Sequence, residues 1–202
     1  MAKIEGTNGP DNLTGTPEND IILGFGADDV LLGVGGDDFV GGDEDNDVVD
    51  GGAGNDRLFG GRGSDVVWGG DGDDIIRGWA TPPSDGKPEL DGADRIKGDG
   101  GNDRLFGQFG KDEVFGGDGD DEIEGNEGQD YLSGDAGADT IRGGDGRDQI
   151  FGWGGTIAST ATATPTSSTA AKATIISAAT TATTSSSPGP GMISYSATTA
   201  TT

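Results

Sequence analysis

A nine-residue repeat constrains the fold of this chain more than any other feature of its sequence. Between residues 6 and 151, fifteen blocks carry Gly at the first position, Asp at the sixth and Leu, Ile or Val at the eighth. The fourth position is Gly in twelve blocks and differs at Glu18, Ala27 and Asp45. Self-similarity at a short fixed period is typical of proteins that stack one small unit many times. The sequence therefore predicts a solenoid rather than a domain with a conventional core.

Each block predicts one turn followed by one short strand. Gly at the first and fourth positions allows a positive φ and a close approach of the backbone, so the turn is expected to reverse the chain. At the end of each block, the alternation of a strand directs the eighth side chain one way and the seventh and ninth the other. We therefore expect Leu13, Ile22, Leu31, Val40 and their successors to face inward.

Two blocks are expected to complete one coil. The predicted fold is thus all-β: a right-handed parallel β-roll (β-solenoid) of about 15 nonapeptide repeats, with coils ~4.8 Å apart. The block from Gly78 to Lys97 is more than twice the usual length, and we interpret it as one repeat with a loop inserted at about residues 80–90. The expected divisions are a lead-in at 1–5, the β-roll at 6–155 and a disordered tail at 156–202.

A coil of two blocks stacks the sixth-position aspartates in two ladders, one along each edge. One ladder is Asp11, Asp29, Asp47, Asp65, Asp94, Asp112, Asp130 and Asp148. The other is Asp20, Asp38, Asp56, Asp74, Asp103, Asp121 and Asp139. Two carboxylates about 5 Å apart repel each other by roughly 3 kcal/mol at an effective dielectric of 20. Cations are therefore expected between the coils, in at most about 13 spaces.

Composition narrows the choice of cation and of partner. The chain has no His and no Cys, which excludes His-based acid–base catalysis, His/Cys zinc sites, Cys nucleophiles and disulfides. Its net charge of -25 argues against nucleic-acid binding, and no apolar run approaches the length of a membrane span. Carboxylate and carbonyl oxygens in a flexible turn suit Ca²⁺ better than Zn²⁺, copper or Mg²⁺. Calcium is the expected ion, and all fifteen aspartates are its candidate ligands.

The blocks GGAGNDRLF (51–59) and GGDGDDIIR (69–77) carry the consensus in full. In this respect the chain resembles the RTX, or haemolysin-type, calcium-binding nonapeptide repeat family. The resemblance implies a parallel β-roll in which the sixth-position Asp and carbonyl oxygens of the turns hold Ca²⁺ between successive coils. It also implies export by a type I secretion system with an uncleaved C-terminal signal, and therefore an extracellular location.

These patterns favour a non-catalytic module that folds on binding several Ca²⁺ ions outside the cell. Two alternatives remain open: a calcium-dependent adhesion or surface-layer module, and the calcium-binding part of a larger RTX exoenzyme or cytolysin. Apolar side chains on the outer faces have two possible roles, cross-strand contact or docking against another domain or copy. Those considered are Val30, Val48, Val66, Leu32 and Trp68 on one face, and Ile21, Phe39, Ile75, Leu23 and Phe59 on the other.

The tail has a different composition but keeps the period of nine. Thr, Ala and Ser make up 35 of residues 156–202, yet first positions fall on Ala and eighth positions on Ser. If each codon is read one base earlier, Ala codons after G become Gly, and Thr or Ile codons after G become Asp. We therefore interpret the tail as repeats read out of frame, and expect it to add neither ligands nor a continuation of the β-roll. The alternative is a genuine Thr/Ala/Ser linker.

Overall fold

The computed structural model describes residues 1–78 and 92–153, together with the backbone of three short strands in the tail. The first strand of each coil joins a nine-stranded parallel sheet. Its strands are β1 (Lys3–Glu5), β3 (Ile21–Gly26), β5 (Phe39–Glu44), β7 (Arg57–Arg62), β9 (Ile75–Arg77), β11 (Arg104–Gly110), β13 (Glu122–Gly128), β15 (Thr140–Gly146) and β17 (Thr156–Ile157).

The second strand of each coil joins a ten-stranded parallel sheet. Its strands are β2 (Asn12–Thr14), β4 (Val30–Leu32), β6 (Val48–Ala53), β8 (Val66–Asp71), β10 (Arg95–Gly100), β12 (Glu113–Asp118), β14 (Tyr131–Ala136), β16 (Gln149–Trp153), β18 (Thr174–Ser177) and β19 (Ser194–Tyr195). Within the nonapeptide region, strands that follow each other in one sheet are one coil apart in sequence, so the predicted parallel β-solenoid is confirmed. Among the described residues there is no helix long and apolar enough to cross a membrane.

A single column of aliphatic side chains fills the space between the two sheets. Fourteen eighth-position residues, from Ile22 to Ile150, are completely buried. Leu13 and Ile4 pack against the N-terminal end of this column and are partly buried. The inward direction predicted for the eighth position is therefore confirmed, and the core is one side chain wide.

The long block keeps the phase of the repeat, as the sequence predicts. Val66 in β8 is in register with Arg95 in β10, although the two are further apart in the chain than one regular coil. Ile76 and Leu105 are likewise in register in the other sheet. The predicted loop at 80–90 itself lies outside the described residues.

The turns show that the prediction for the first-position glycines is only half right. Among the described residues, positive φ values occur at second and fourth positions and at no first position. Seven second positions with positive φ are not glycine: Phe25, Val34, Asp43, Asp99, Gln108, Asn126 and Asp135. Glycine is needed at the first position for space, since a Cβ there would meet the aspartate of the same turn and, in most coils, a carbonyl oxygen of the next coil.

The tail contributes three short strands that the sequence analysis did not predict. Ile157 in β17 is in register with Ile141, although fewer residues than one regular coil separate them. Ile175 in β18 is in register with Ile150. An isoleucine thus stands at the register position of the aliphatic column in both strands, although Ile157 and Ile175 are sixth-position and not eighth-position residues of the period of nine. The rest of the tail lies outside the described residues.

The outer faces carry cross-strand contacts between the apolar side chains noted in the sequence. The rings of Phe39 and Phe59 are 5.2 Å apart. Val30, Val48 and Val66 follow one another in register across β4, β6 and β8. These contacts favour the cross-strand interpretation; docking of a partner on these faces stays a prediction.

Candidate metal sites along the two edges

The sixth-position aspartates stack one above another through hydrogen bonds between coils. In each ladder the backbone amide of one Asp donates to Oδ1 of the Asp in the next coil, over 2.7 to 3.1 Å. The series continues across the long block, from Asp65 to Asp94 and from Asp74 to Asp103. All fifteen candidate residues therefore stand in the two predicted ladders, fourteen of them buried and Asp11 half-buried.

The other oxygen of most of these carboxylates has no donor. Among the described residues, Oδ2 is buried and accepts no hydrogen bond in ten aspartates: Asp29, Asp38, Asp47, Asp56, Asp65, Asp74, Asp103, Asp121, Asp130 and Asp139. Burying a charged oxygen without a hydrogen bond or a counter-charge is costly. A regular row of such oxygens therefore indicates positions that need a positive charge.

For all of these oxygens except that of Asp139, a carbonyl oxygen of the next coil lies close to the same point, the position that a Cβ on the first-position glycine would occupy. A methyl group added at Gly125 would lie 2.5 Å from Oδ2 of Asp130 and 2.5 Å from the carbonyl oxygen of Gly143. The same pairing of an Asp Oδ2 with the first-position carbonyl of the next coil occurs at thirteen first-position glycines, from Gly6 to Gly125. A carbonyl oxygen has two lone pairs, so one that accepts a backbone hydrogen bond keeps one for a cation. We call each such carboxylate and carbonyl pair a gap.

The donor set of a gap fits calcium. Among the described residues, no three carboxylates converge on one point, so a bound ion would take only part of its ligands from Asp and the rest from carbonyls. Oxygen ligands of mixed type and flexible geometry suit Ca²⁺, which when bound supplies two positive charges to the buried carboxylates. Zinc and copper prefer nitrogen and sulfur ligands, which His and Cys would provide and which this chain lacks.

Burial makes the ladder carboxylates weak acids in the absence of an ion. Loss of solvent raises the pKa of Asp47, Asp65, Asp74 and Asp103 to about 7. For the same reason the pKa values of Asp56, Asp130 and Asp139 rise to about 6. The hydrogen bond from a backbone amide lowers each pKa, but by less than burial raises it. The folded chain thus disfavours negative charge at these positions unless a cation accompanies it.

A further ladder, which the sequence analysis missed, runs along the fifth positions. The amide of Asn55 donates to Oδ1 of Asp37 over 3.0 Å, and the amide of Asp73 donates to Oδ1 of Asn55 over 2.8 Å. Here the side chain accepts from the following coil, whereas the sixth-position Asp accepts from the preceding coil. The signal in the sequence is a run of short acceptors at this position: Asn19, Asp37, Asn55, Asp73, Asn102 and Asp120.

The two aspartates of the first coil differ from the others. Oδ2 of Asp11 accepts hydrogen bonds from the amide and hydroxyl of Thr7, and Oδ2 of Asp20 accepts the same pair from Thr16. The pKa of Asp20 is lowered, chiefly by a hydrogen bond from the amide of Ala2 and then by that of the Thr16 side chain. In these two turns the protein itself supplies donors to the oxygen that has none in the ten aspartates named above.

Comparison with known families points to the same repeat. A family model described as the RTX calcium-binding nonapeptide repeat matches the chain in four copies, over residues 5–40, 41–76, 90–123 and 124–156. Together these copies span well over half of the chain and include all fifteen ladder aspartates. No curated protein matches the chain.

Proposed function

Because the chain belongs to the family of RTX calcium-binding nonapeptide repeat proteins, we propose that it is a non-catalytic module that folds when Ca²⁺ enters the gaps between its coils. The observation that carries this proposal is the row of buried Oδ2 atoms without hydrogen bonds, all but one of them beside a carbonyl oxygen of the next coil. The proposed ligands are the carboxylates of the sixth-position aspartates and the carbonyls of the first-position glycines. The thirteen gaps set the upper limit on such ions.

Charge explains why folding would depend on the ion. All 37 acidic residues precede residue 156 and are opposed there by 11 Lys and Arg. The only buried apolar cluster among the described residues is the single column of aliphatic side chains. The free energy gained by burying this column is small compared with the repulsion within two rows of stacked carboxylates. Where a site exists only in the folded state, the free energy of metal binding adds to the free energy of folding.

The same coupling suits a protein that folds after export. Calcium-binding modules of the extracellular space typically bind in the range of about 0.1 to 1 mM. In a cell interior poor in calcium the chain would stay extended by charge repulsion, which is the state that a secretion channel requires. We therefore place its action outside the cell, after export by a type I secretion system.

The test is a calcium titration followed by far-ultraviolet circular dichroism. In chelator the chain should lack β signal, and it should gain it cooperatively as Ca²⁺ rises to about 1 mM, the upper end of the range for extracellular sites. Mg²⁺ at the same concentration is the matched control and should fail, because it demands near-ideal octahedral geometry and keeps its waters. A spectrum that is the same in chelator and in calcium would overturn the proposal.

A further inference from the structure

The first coil carries threonine at the second position of both its blocks. The second position of the first two blocks holds Thr7 and Thr16, whereas later blocks hold mostly glycine or residues with positive φ. Neither threonine has a positive φ, and neither Gly9 nor Glu18 at the fourth positions does. These two turns therefore have a backbone conformation of their own.

That conformation aims two donors of each threonine at the aspartate of the same turn. In the first turn the amide and hydroxyl of Thr7 lie 2.6 and 2.9 Å from Oδ2 of Asp11. In the second turn the corresponding distances from Thr16 to Oδ2 of Asp20 are 2.6 and 2.7 Å. The same hydroxyls accept the amides of Gly9 and Glu18, as in the turns that Ser and Thr commonly stabilise.

Hydrogen bonds to an ionised group are about twice as strong as neutral ones. Two such bonds satisfy the same oxygen that accepts no hydrogen bond in the ten aspartates from Asp29 to Asp139 named above. They also occupy the lone pairs through which that oxygen would bind a cation, since an ionised carboxylate oxygen offers about two acceptor sites.

We infer that the first coil is a calcium-independent cap, in which Thr7 and Thr16 take the place of the ions at Asp11 and Asp20. Calcium then occupies gaps only from Asp29 onward, which leaves eleven of the thirteen. This inference rests on the proposed function, because it concerns which gaps hold an ion.

The cap is also placed to organise the first ion-dependent coil. The amides of Asp11 and Asp20 donate to Oδ1 of Asp29 and Asp38, over 2.8 and 2.7 Å. Those bonds orient the first two carboxylates whose Oδ2 atoms lack donors. The first coil is thus stabilised by its own hydrogen bonds. Its amides can then act as a template on which the next coil forms when it binds calcium.

The experiment counts bound ions by equilibrium dialysis against radioactive calcium, with circular dichroism as a check of folding. The double variant Asp11→Asn/Asp20→Asn should bind as many ions as the unaltered chain. The matched variant Asp29→Asn/Asp38→Asn should bind two fewer. Asn keeps an acceptor oxygen for threonine in both turns, and the first variant loses only the bond from the amide of Ala2 to position 20.

A second pair of changes separates the cap from a general loss of stability. Thr7→Val/Thr16→Val removes both hydroxyls, so it should raise the calcium concentration needed for folding without lowering the number of ions bound at saturation. A loss of two ions in Asp11→Asn/Asp20→Asn, or in the valine variant, would overturn the inference and leave the proposed function standing. An unaltered chain that binds no calcium would overturn the proposed function itself.

Discussion

The amide of Asp47 donates a 2.9 Å hydrogen bond to Oδ1 of Asp65, the equivalent residue one coil later. This bond fixes the carboxylate so that its Oδ2 atom is buried, without a donor, beside the carbonyl oxygen of Gly78. The contact that stacks two coils therefore also produces the oxygen that needs a cation. Structure and metal dependence come from the two oxygens of one side chain.

Replacing an aspartate inside a ladder should cost more stability than replacing one at its end. Asp65→Ala removes a gap and also the acceptor of the Asp47 amide, and the lost charge-assisted bond alone is worth about 1.5 to 3 kcal/mol. Asp11→Ala removes no acceptor from a preceding coil, and the two hydrogen bonds from Thr7 that it loses are exposed to solvent and therefore worth less. Urea unfolding in saturating calcium should show the difference in the free energy of unfolding, and Asp56→Ala should behave like Asp65→Ala. Equal losses in the interior and end variants would count against the ladder.

A methyl group at a first-position glycine should close one gap. In Gly24→Ala the new Cβ would lie 2.9 Å from the carbonyl oxygen of Gly42 and still closer to Oδ2 of Asp29. Gly26→Ala is the matched control, since a Cβ there meets nothing within 4 Å and its φ is not positive. We expect the first variant to bind one ion fewer by equilibrium dialysis and the second to bind the full number. The same loss in both variants would show that the space at Gly24 is not what matters.

Acid should partly replace calcium. Burial raises the pKa of Asp47, Asp65, Asp74 and Asp103 from the ordinary value of about 3.9 to about 7, so the folded, ion-free chain prefers these groups protonated. Their contribution to folding is therefore greatest below about pH 4 and is lost as the pH rises through about 7. Calcium-free protein should gain β signal in circular dichroism as the pH is lowered from 8 to 5.

The neutral variant Asp65→Asn is the control for this pH dependence. Its side chain at position 65 cannot titrate, so the change in β signal between pH 8 and pH 5 should be smaller than in the unaltered chain. If the calcium-free chain has the same spectrum at both pH values, the raised pKa values do not govern its folding.

The repeat predicts the fold and the two aspartate ladders because those features follow from spacing alone. A period of nine with an aliphatic at the eighth position leaves one arrangement in which Ile22 and Val40 share a column, whatever the side chains around them. The cap at Thr7 and the fifth-position ladder depend instead on turn conformation. No rule of spacing tells whether a second-position residue has a positive φ, as Val34 does, or aims its amide and hydroxyl at a carboxylate, as Thr7 does.

The strands in the tail could not be predicted from the sequence pattern. Its composition predicts no strands, yet the backbone at Ile157 and Ile175 pairs with the last strands of the two sheets, because the open edge of a parallel sheet accepts any extended segment. The proposed reading-frame shift is tested by sequencing the gene. The frame displaced by one base downstream of Gly155 should encode further blocks with Gly first, Asp sixth and an aliphatic eighth. If it encodes none, the tail is a linker in its own right.

The register between Val66 and Arg95 means that the length of this β-roll is set by the number of coils and not by the number of residues. Neighbouring strands find each other through stacked side chains and amides, so the additional residues of the long block leave the pairing of β8 with β10 unchanged. We therefore expect the segment between β9 and β10 to tolerate further insertions. A peptide tag or a whole reporter domain joined there leaves the pitch of the rod as it is, provided that its two ends lie close together.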